Sequence, residues 1–167
     1  MMFSLTKITK TDWNFFRKLY TDAEIMKFIS DPLSDQQIKD AFESRLPKWD
    51  IGSSHWLCFV IRREADGVPM GLTGLKMTRE NNERIAEVGY IIANGFSGMS
   101  LATDSLATLL ALPELSAISQ YQAVITNGNN ASIRVLEKNG FTLTEVIKDN
   151  YTIGGVIFDD CIYTLIK

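Results

Sequence analysis

The sequence is short of the residues that build metal centres and disulfide frameworks: its 167 residues include one histidine and two cysteines. Cys58 and Cys161 stand far apart from each other, and Cys161 far from His55, so no metal-ligand spacing exists and a metal-free protein is expected. Both cysteines lie in apolar, strand-like runs, which predicts buried, reduced thiols in a cytoplasmic protein rather than a disulfide or a nucleophile. Clusters of basic residues are also missing. Seventeen Lys and Arg against 20 Asp and Glu leave a net charge of -3 and a pI of about 5.2. Nucleic-acid binding needs a basic face to neutralise phosphates, so that class is set aside. No apolar run is long enough to span a membrane, and the first 13 residues lack the apolar core of a secretion signal. Without repeats, low-complexity tracts or linker-like segments, residues 1–167 are expected to form one domain.

What is present is an ordered alternation of elements. Leu5–Thr9 predicts a short strand, and Thr11 or Asp12 offers an N-cap for a helix through Tyr20. Asp31-Pro32 interrupts the chain. Ser34 followed by Gln37 forms a capping-box signal for a second helix ending near Pro47. Strands are expected at Trp56–Arg63, Val68–Met77 and Ile85–Ile92, with Asp66-Gly67 as a hairpin turn. The pattern then changes to a helix over Leu101–Leu112, a strand over Tyr121–Thr126, a helix over Ala131–Asn139 and a strand over Phe141–Ile147. Gly154-Gly155 turns the chain into a last strand, Val156–Ile166. This order predicts an α/β (α+β) sandwich, with about seven mostly antiparallel strands flanked by about four helices.

Two stretches carry chemistry. In residues 86–110 a strand runs into Ser97-Gly98-Met99-Ser100 and a helix starts at once. Free N–H groups and the positive end of the helix dipole meet small side chains there, a combination suited to a phosphate or pyrophosphate. A turn that merely caps a buried helix uses the same residues. The Gly-Lys-Ser/Thr of a P-loop and the three glycines of a dinucleotide fingerprint are both missing. In residues 127–143, Asn129 and Ser132 surround a helix start and Asn139-Gly140 closes it, which ordinary capping also explains.

Taken together, the stretches resemble the GNAT superfamily of N-acetyltransferases, and within it the ribosomal-protein N-terminal acetyltransferase group. The likeness rests on Glu87-Val88-Gly89-Tyr90, on Ser97 through Asp104, on Asn129-x-x-Ser132 through Glu137-Lys138-Asn139-Gly140-Phe141, and on Phe158-Asp159-Asp160 with Tyr163. It departs from the family pattern where Ser97 precedes Gly98, where Ser100 replaces a glycine, and where Leu136 stands in place of a tyrosine acid. The resemblance implies acetyl-CoA as co-substrate. Its pyrophosphate would rest on Ser97, Gly98, Met99, Ser100, Leu101, Ala102 and Thr103. Its pantetheine arm would run along Tyr90, Ile91 and Ile92, with Asn129 and Ser132 on the opposite side.

Strand alternation puts Glu87, Gly89 and Ile91 on one face and Ala86, Val88, Tyr90 and Ile92 on the other. Glu87 is either a base acting through water on the acceptor amine, or a solvated carboxylate or partner of Arg84 or Lys76. Ser132 is either the proton donor to the departing thiolate or a helix-capping hydroxyl. His55 reads as a surface residue, and Trp49, Trp56, Phe16, Met26 and Phe28 serve equally as acceptor-pocket walls or as core. The expected activity is acetyl transfer to a primary amine, a protein N-terminus or a small molecule, by direct attack, in a monomer or homodimer. A degenerate acyl-CoA-binding or sensing domain, or an interaction module without cofactor, are the alternatives.

Overall fold

The computed structural model describes residues 2–98 and 100–167. Strands β1 (Phe3–Lys7), β2 (Leu57–Arg63), β3 (Pro69–Glu80) and β4 (Glu83–Ile92) form one antiparallel half of a sheet. Strands β5 (Gln120–Thr126), β6 (Thr142–Ile153) and β7 (Val156–Ile166) form the other, giving the order β1-β2-β3-β4-β5-β7-β6. The halves meet at the parallel junction of β4 with β5. Helices α1 (Trp13–Tyr20), α2 (Ala23–Met26) and α3 (Asp35–Glu43) fill the connection from β1 to β2. Helix α4 (Leu101–Leu110) crosses from β4 to β5, and α5 (Asn130–Lys138) from β5 to β6.

The expected sheet is therefore present, with five α-helices among the described residues where about four are expected. The additional one is α2, a single turn started by Asp22, whose carboxylate accepts from the Glu24 and Ile25 N–H groups. The first strand ends two residues before its expected limit. Thr9 leaves the sheet because its N–H donates to the Asp12 carboxylate at 2.9 Å, folding Lys10–Asp12 into a 3-10 turn ahead of α1. The capping box of α3 forms as expected, with the Gln37 N–H donating to Ser34 Oγ and the Ser34 N–H to Gln37 Oε1. Strand β6 runs six residues beyond its expected end. Its polar Lys148-Asp149-Asn150 segment carries no strand signal, but the Asp159 carboxylate of β7 accepts from the Asp149 N–H at 2.9 Å and keeps the irregular stretch against the sheet.

Alternation along the strands feeds two apolar layers. Leu57, Phe59, Leu75, Ala86 and Val88 face α4 and α5, where Leu106, Leu109 and Leu136 are fully buried. Cys58, Val60 and Leu72 face α1 and α3, against Phe16, Leu19, Ile38 and Phe42. Both cysteines are free and buried. Burial above all pushes the Cys58 thiol up to about 11, so it stays protonated at neutral pH and makes a poor nucleophile.

The sheet is tightest where β2, β3 and β4 pass side by side, with Gly74 paired to Cys58 on one flank and Gly89 on the other. A Cβ on Gly74 would stand 2.0 Å from the Leu57 carbonyl oxygen, a backbone atom that cannot swing aside. Gly74→Ala is expected to destabilise the protein by about 2 kcal/mol or more, the upper range of overpacking. Urea unfolding measures this, and a change below about 0.5 kcal/mol would show that the strands separate readily here.

Candidate active site

Strands β4 and β5 are paired only at Ala86 with Tyr121 and at Glu87 with Gln122. Beyond these positions β4 stays laddered to β3 as far as Ile92, while its other edge has lost its neighbour. The divergence opens a cleft of about 940 Å³ that crosses the sheet and reaches both layers. Backbone amides and carbonyls on an open edge inside a cleft need partners from elsewhere, water or ligand.

Of the residues singled out in the sequence, Glu87, Tyr90, Ile91, Ile92, Ser97, Asn129 and Ser132 all line this one cleft. Gly98, Ser100, Leu101, Ala102 and Thr103 do not line it but form the head of α4 beside its rim. Met99 lies outside the described residues. Leu101 points into the core against Ile61 and Met70, so only its backbone remains available. Gly98 has φ +78° and Ser100, the N-cap of α4, has φ +60°. Ser100 thus takes the left-handed conformation that usually calls for glycine, without capping the helix by its side chain. Among the described residues nothing accepts from the N–H groups of Leu101 and Ala102.

Asn129 caps α5, its side-chain oxygen accepting weakly from the Ser132 N–H at 3.4 Å. The Tyr90 hydroxyl donates to the Ser132 carbonyl at 3.0 Å, tying β4 to the start of α5 across the cleft. The Ser132 hydroxyl itself makes no hydrogen bond among the described residues and lines the opening. Glu87 is half-buried and forms no ion pair with Lys76 or Arg84. Burial raises its carboxyl above the ordinary value, and Lys76, its partner across β3, pulls it partly back. Leu136, at the position of the family's tyrosine acid, is fully buried in the core and has no access to the cleft.

The other half of the cleft faces the early helices. Trp56 and Phe28 line it, whereas Phe16 and Met26 are buried in the core and Trp49 donates its indole N–H to the His55 carbonyl. His55 lies outside the cleft, its Nε2 3.2 Å from the Pro47 carbonyl. Three hydrogen bonds fasten the segment from α2 to Asp31 over the cleft. The Asn94 amide donates to Asp22, the Thr126 hydroxyl to the Phe28 carbonyl at 3.0 Å, and the Gly154 N–H to Asp31 at 2.6 Å.

Sequence reasoning missed two groups on the cleft wall. Thr73, only 1% exposed, has a hydroxyl with no hydrogen-bond partner among the described residues. Arg45 follows the end of α3, where a basic residue looks like an ordinary complement to the helix dipole. Only tertiary structure shows that both face the opening.

Comparison with known proteins agrees with this geometry. No curated protein matches the chain by sequence. Among solved structures, spermidine N-acetyltransferase from Vibrio cholerae in complex with CoA and spermine superposes with a TM-score of 0.82 at 17% identity, over 98% of this chain and 95% of that one. Ribosomal-protein-alanine N-acetyltransferase from Brucella melitensis gives 0.79 at 19% identity, over 98% and 99%. A GNAT-family acetyltransferase from Bacillus anthracis gives 0.79 at 17%, over 99% and 95%. These likenesses establish a shared fold. The sequence pattern of the acetyltransferase (GNAT) domain matches residues 3–142, from β1 through α5, and the chain belongs to that family.

Proposed function

We propose that this protein transfers the acetyl group of acetyl-CoA to a primary amine by direct attack, both substrates being held in the divergent cleft. The observation that carries the reading is the open edge of β4 beside the head of α4, two sets of backbone donors along one chain segment that have no partner among the described residues. GNAT enzymes use acetyl-CoA as co-substrate, and these residues fit it. Gly98 and the N–H groups from Ser100 to Thr103 would hold the pyrophosphate, where the helix dipole favours anions. The edge at Tyr90 to Ile92 would pair with the amides of the arm, and the free amide hydrogens of Asn129 would face it from α5. When bound, acetyl-CoA supplies an acetyl group activated as a thioester.

The chain's own residues then manage protons. An acceptor amine must be neutral to attack, and α-amino groups and lysines have ordinary pKa values near 7.7–8.0 and 10.4. Glu87, with a carboxyl raised by burial, is the base that removes the amine proton through a water. Ser132 Oγ, unpartnered and facing the cleft, donates to the departing sulfur. A C–N bond forms, the C–S bond breaks, and the proton lost by the amine balances the one gained by the thiolate. The buried, protonated thiol of Cys58 argues against an acetyl-cysteine intermediate. Alignment of the two substrates supplies much of the rate, since effective molarities reach roughly 10⁵ M.

Thermal unfolding with saturating acetyl-CoA is the direct test of binding. At about 100 times the dissociation constant a specific ligand adds roughly 2.7 kcal/mol, or roughly 5–10 °C for a chain of this size. Adenosine diphosphate should give less. Binding without turnover on any amine would leave a domain that senses acyl-CoA rather than an enzyme.

Gly98→Asp is expected to abolish the acetyl-CoA shift while leaving the ligand-free melting temperature near that of the parent. Aspartate tolerates a left-handed backbone better than most residues, and its charge would oppose the pyrophosphate. Parent-like affinity in a folded variant would place the phosphates elsewhere.

Glu87→Gln separates catalysis from stability. The folded carboxyl titrates above its ordinary value of 4.5, so its ionised form is penalised by folding. That penalty is present above the folded pKa and vanishes as pH falls below the unfolded value. The variant should therefore melt at or above the parent temperature at pH 7.5, lose that advantage near pH 4, and turn over roughly 100-fold more slowly. An unchanged kcat would remove Glu87 from the mechanism.

A further inference from the structure

Arg45 sits in the half of the cleft that faces the early helices, with no ion-pair partner among the described residues. One guanidinium nitrogen donates to the Ala41 carbonyl at 2.7 Å and another reaches the Tyr20 hydroxyl at 3.4 Å. A guanidinium carries five N–H donors in a fork suited to carboxylates, so several remain unused. No Asp or Glu oxygen among the described residues lies within ion-pair distance of it, although the chain holds 20 acidic residues against 17 basic ones. The side chain is half-buried and rests on two rings, its carbon 5.4 Å from the centre of Phe16 and 5.8 Å from that of Trp56. Aromatic faces hold a cation in place but leave its charge unpaired.

The neighbours cannot compensate it. Tyr20 and Cys58 are both pushed upward by burial, which outweighs the opposing pull of Arg45, and both stay neutral at physiological pH. The remaining acidic groups of the cleft stand elsewhere: Glu24 on the exposed rim, Asp160 engaged with the Asn150 amide at 2.9 Å, and Glu87 on β4. Trp56 connects the two ends of the pocket. The far edge of its indole lies against Gly89, 3.3 Å from where a Cβ would stand, while Arg45 covers its ring. The guanidinium is thus one indole removed from the β4 backbone.

We infer that Arg45 is a specificity-determining residue that grips a carboxylate on the acceptor, which makes the acceptor a small zwitterion of the amino-acid class. Resting on the acetyl-transfer reading, this assigns the acceptor's two ends: the amine lies towards Glu87 and β4, the carboxylate against the free fork of Arg45. Ile25, Phe28 and Ile29 give the space between an apolar wall, suited to an aliphatic or aromatic side chain. A polyamine would set a cation against Arg45, and a peptide N-terminus would bring a neutral amide there.

The test is acetyl transfer to L-leucine and L-phenylalanine, to their carboxamides, and to spermidine, with kcat/KM compared per unit of unprotonated amine. The parent should favour each amino acid over its carboxamide by roughly tenfold to a hundredfold, the range for hydrogen bonds to a charged group. Arg45→Gln should erase that preference by lowering the rate for the amino acids alone, and Arg45→Lys should restore part of it. A purely structural arginine would lower kcat/KM for all acceptors together and leave their ratio unchanged, which would overturn the assignment. Equal or better use of the carboxamides or of spermidine by the parent would overturn it too while leaving the acetyl-transfer reading intact. Acetylation of none of the probes, with acetyl-CoA still raising the melting temperature, would also remove the carboxylate anchor. If acetyl-CoA gave no shift either, the underlying reading would fall with it.

Discussion

A backbone edge that leaves its ladder inside a protein must find other partners, and β4 leaves β5 after two paired residues. The arrangement of the molecule follows from holding that gap open. On one side the gap is wedged by the layer of α4 and α5, with Val88 and Tyr90 packed among Leu106, Leu109 and Leu136. On the other, Ile91 packs with Leu72 and the α1 and α3 layer. Closing the sheet would require both layers to be displaced at once, and protein interiors packed to crystal density resist that. Among the described residues one hydrogen bond, from Tyr90 to Ser132, spans the wide end directly, and segment 22–31 bridges it through three more.

Electrostatic character within the gap is set by what burial permits. Thiol and phenol groups on its walls are driven towards their neutral forms, which leaves charge to a few side chains at separate places. Glu87 keeps a carboxyl lifted by desolvation but moderated by Lys76. Arg45 keeps a guanidinium supported by rings rather than by an anion. Because neither is spent on the other, each remains available to a ligand.

Legibility in the sequence follows the range of each interaction. The capping box at Ser34 and Gln37, the strand at Ile85–Ile92 and the helix starting after Ser100 rest on neighbours within four residues, and all three can be read directly. The alternation that sends Val88 and Gly89 to opposite layers is equally local, whereas the grouping of Glu87, Tyr90 and Ser132 rests, in the sequence, on the family resemblance alone. Three things cannot be read. The left-handed Ser100 contradicts the residue's own preference and is imposed by the turn from β4 into α4. Arg45, Thr73 and the segment 22–31 acquire their roles from partners on distant strands, as with Thr126 and Phe28, 98 positions apart. The continuation of β6 past Ile147 likewise depends on Asp159 rather than on any property of Lys148-Asp149-Asn150.

The three hydrogen bonds of segment 22–31 end on three different parts of the diverging half-sheets: Asn94 just after β4, Thr126 at the end of β5, and Gly154 at the tip of the β6–β7 hairpin. A brace with feet on both sides of a split couples the width of that split to its own position. Any displacement of Phe28 would bear directly on the middle one, the bond from the Thr126 hydroxyl to its carbonyl. Segment 22–31 is thus a tie of ten residues anchored on both sides of the gap.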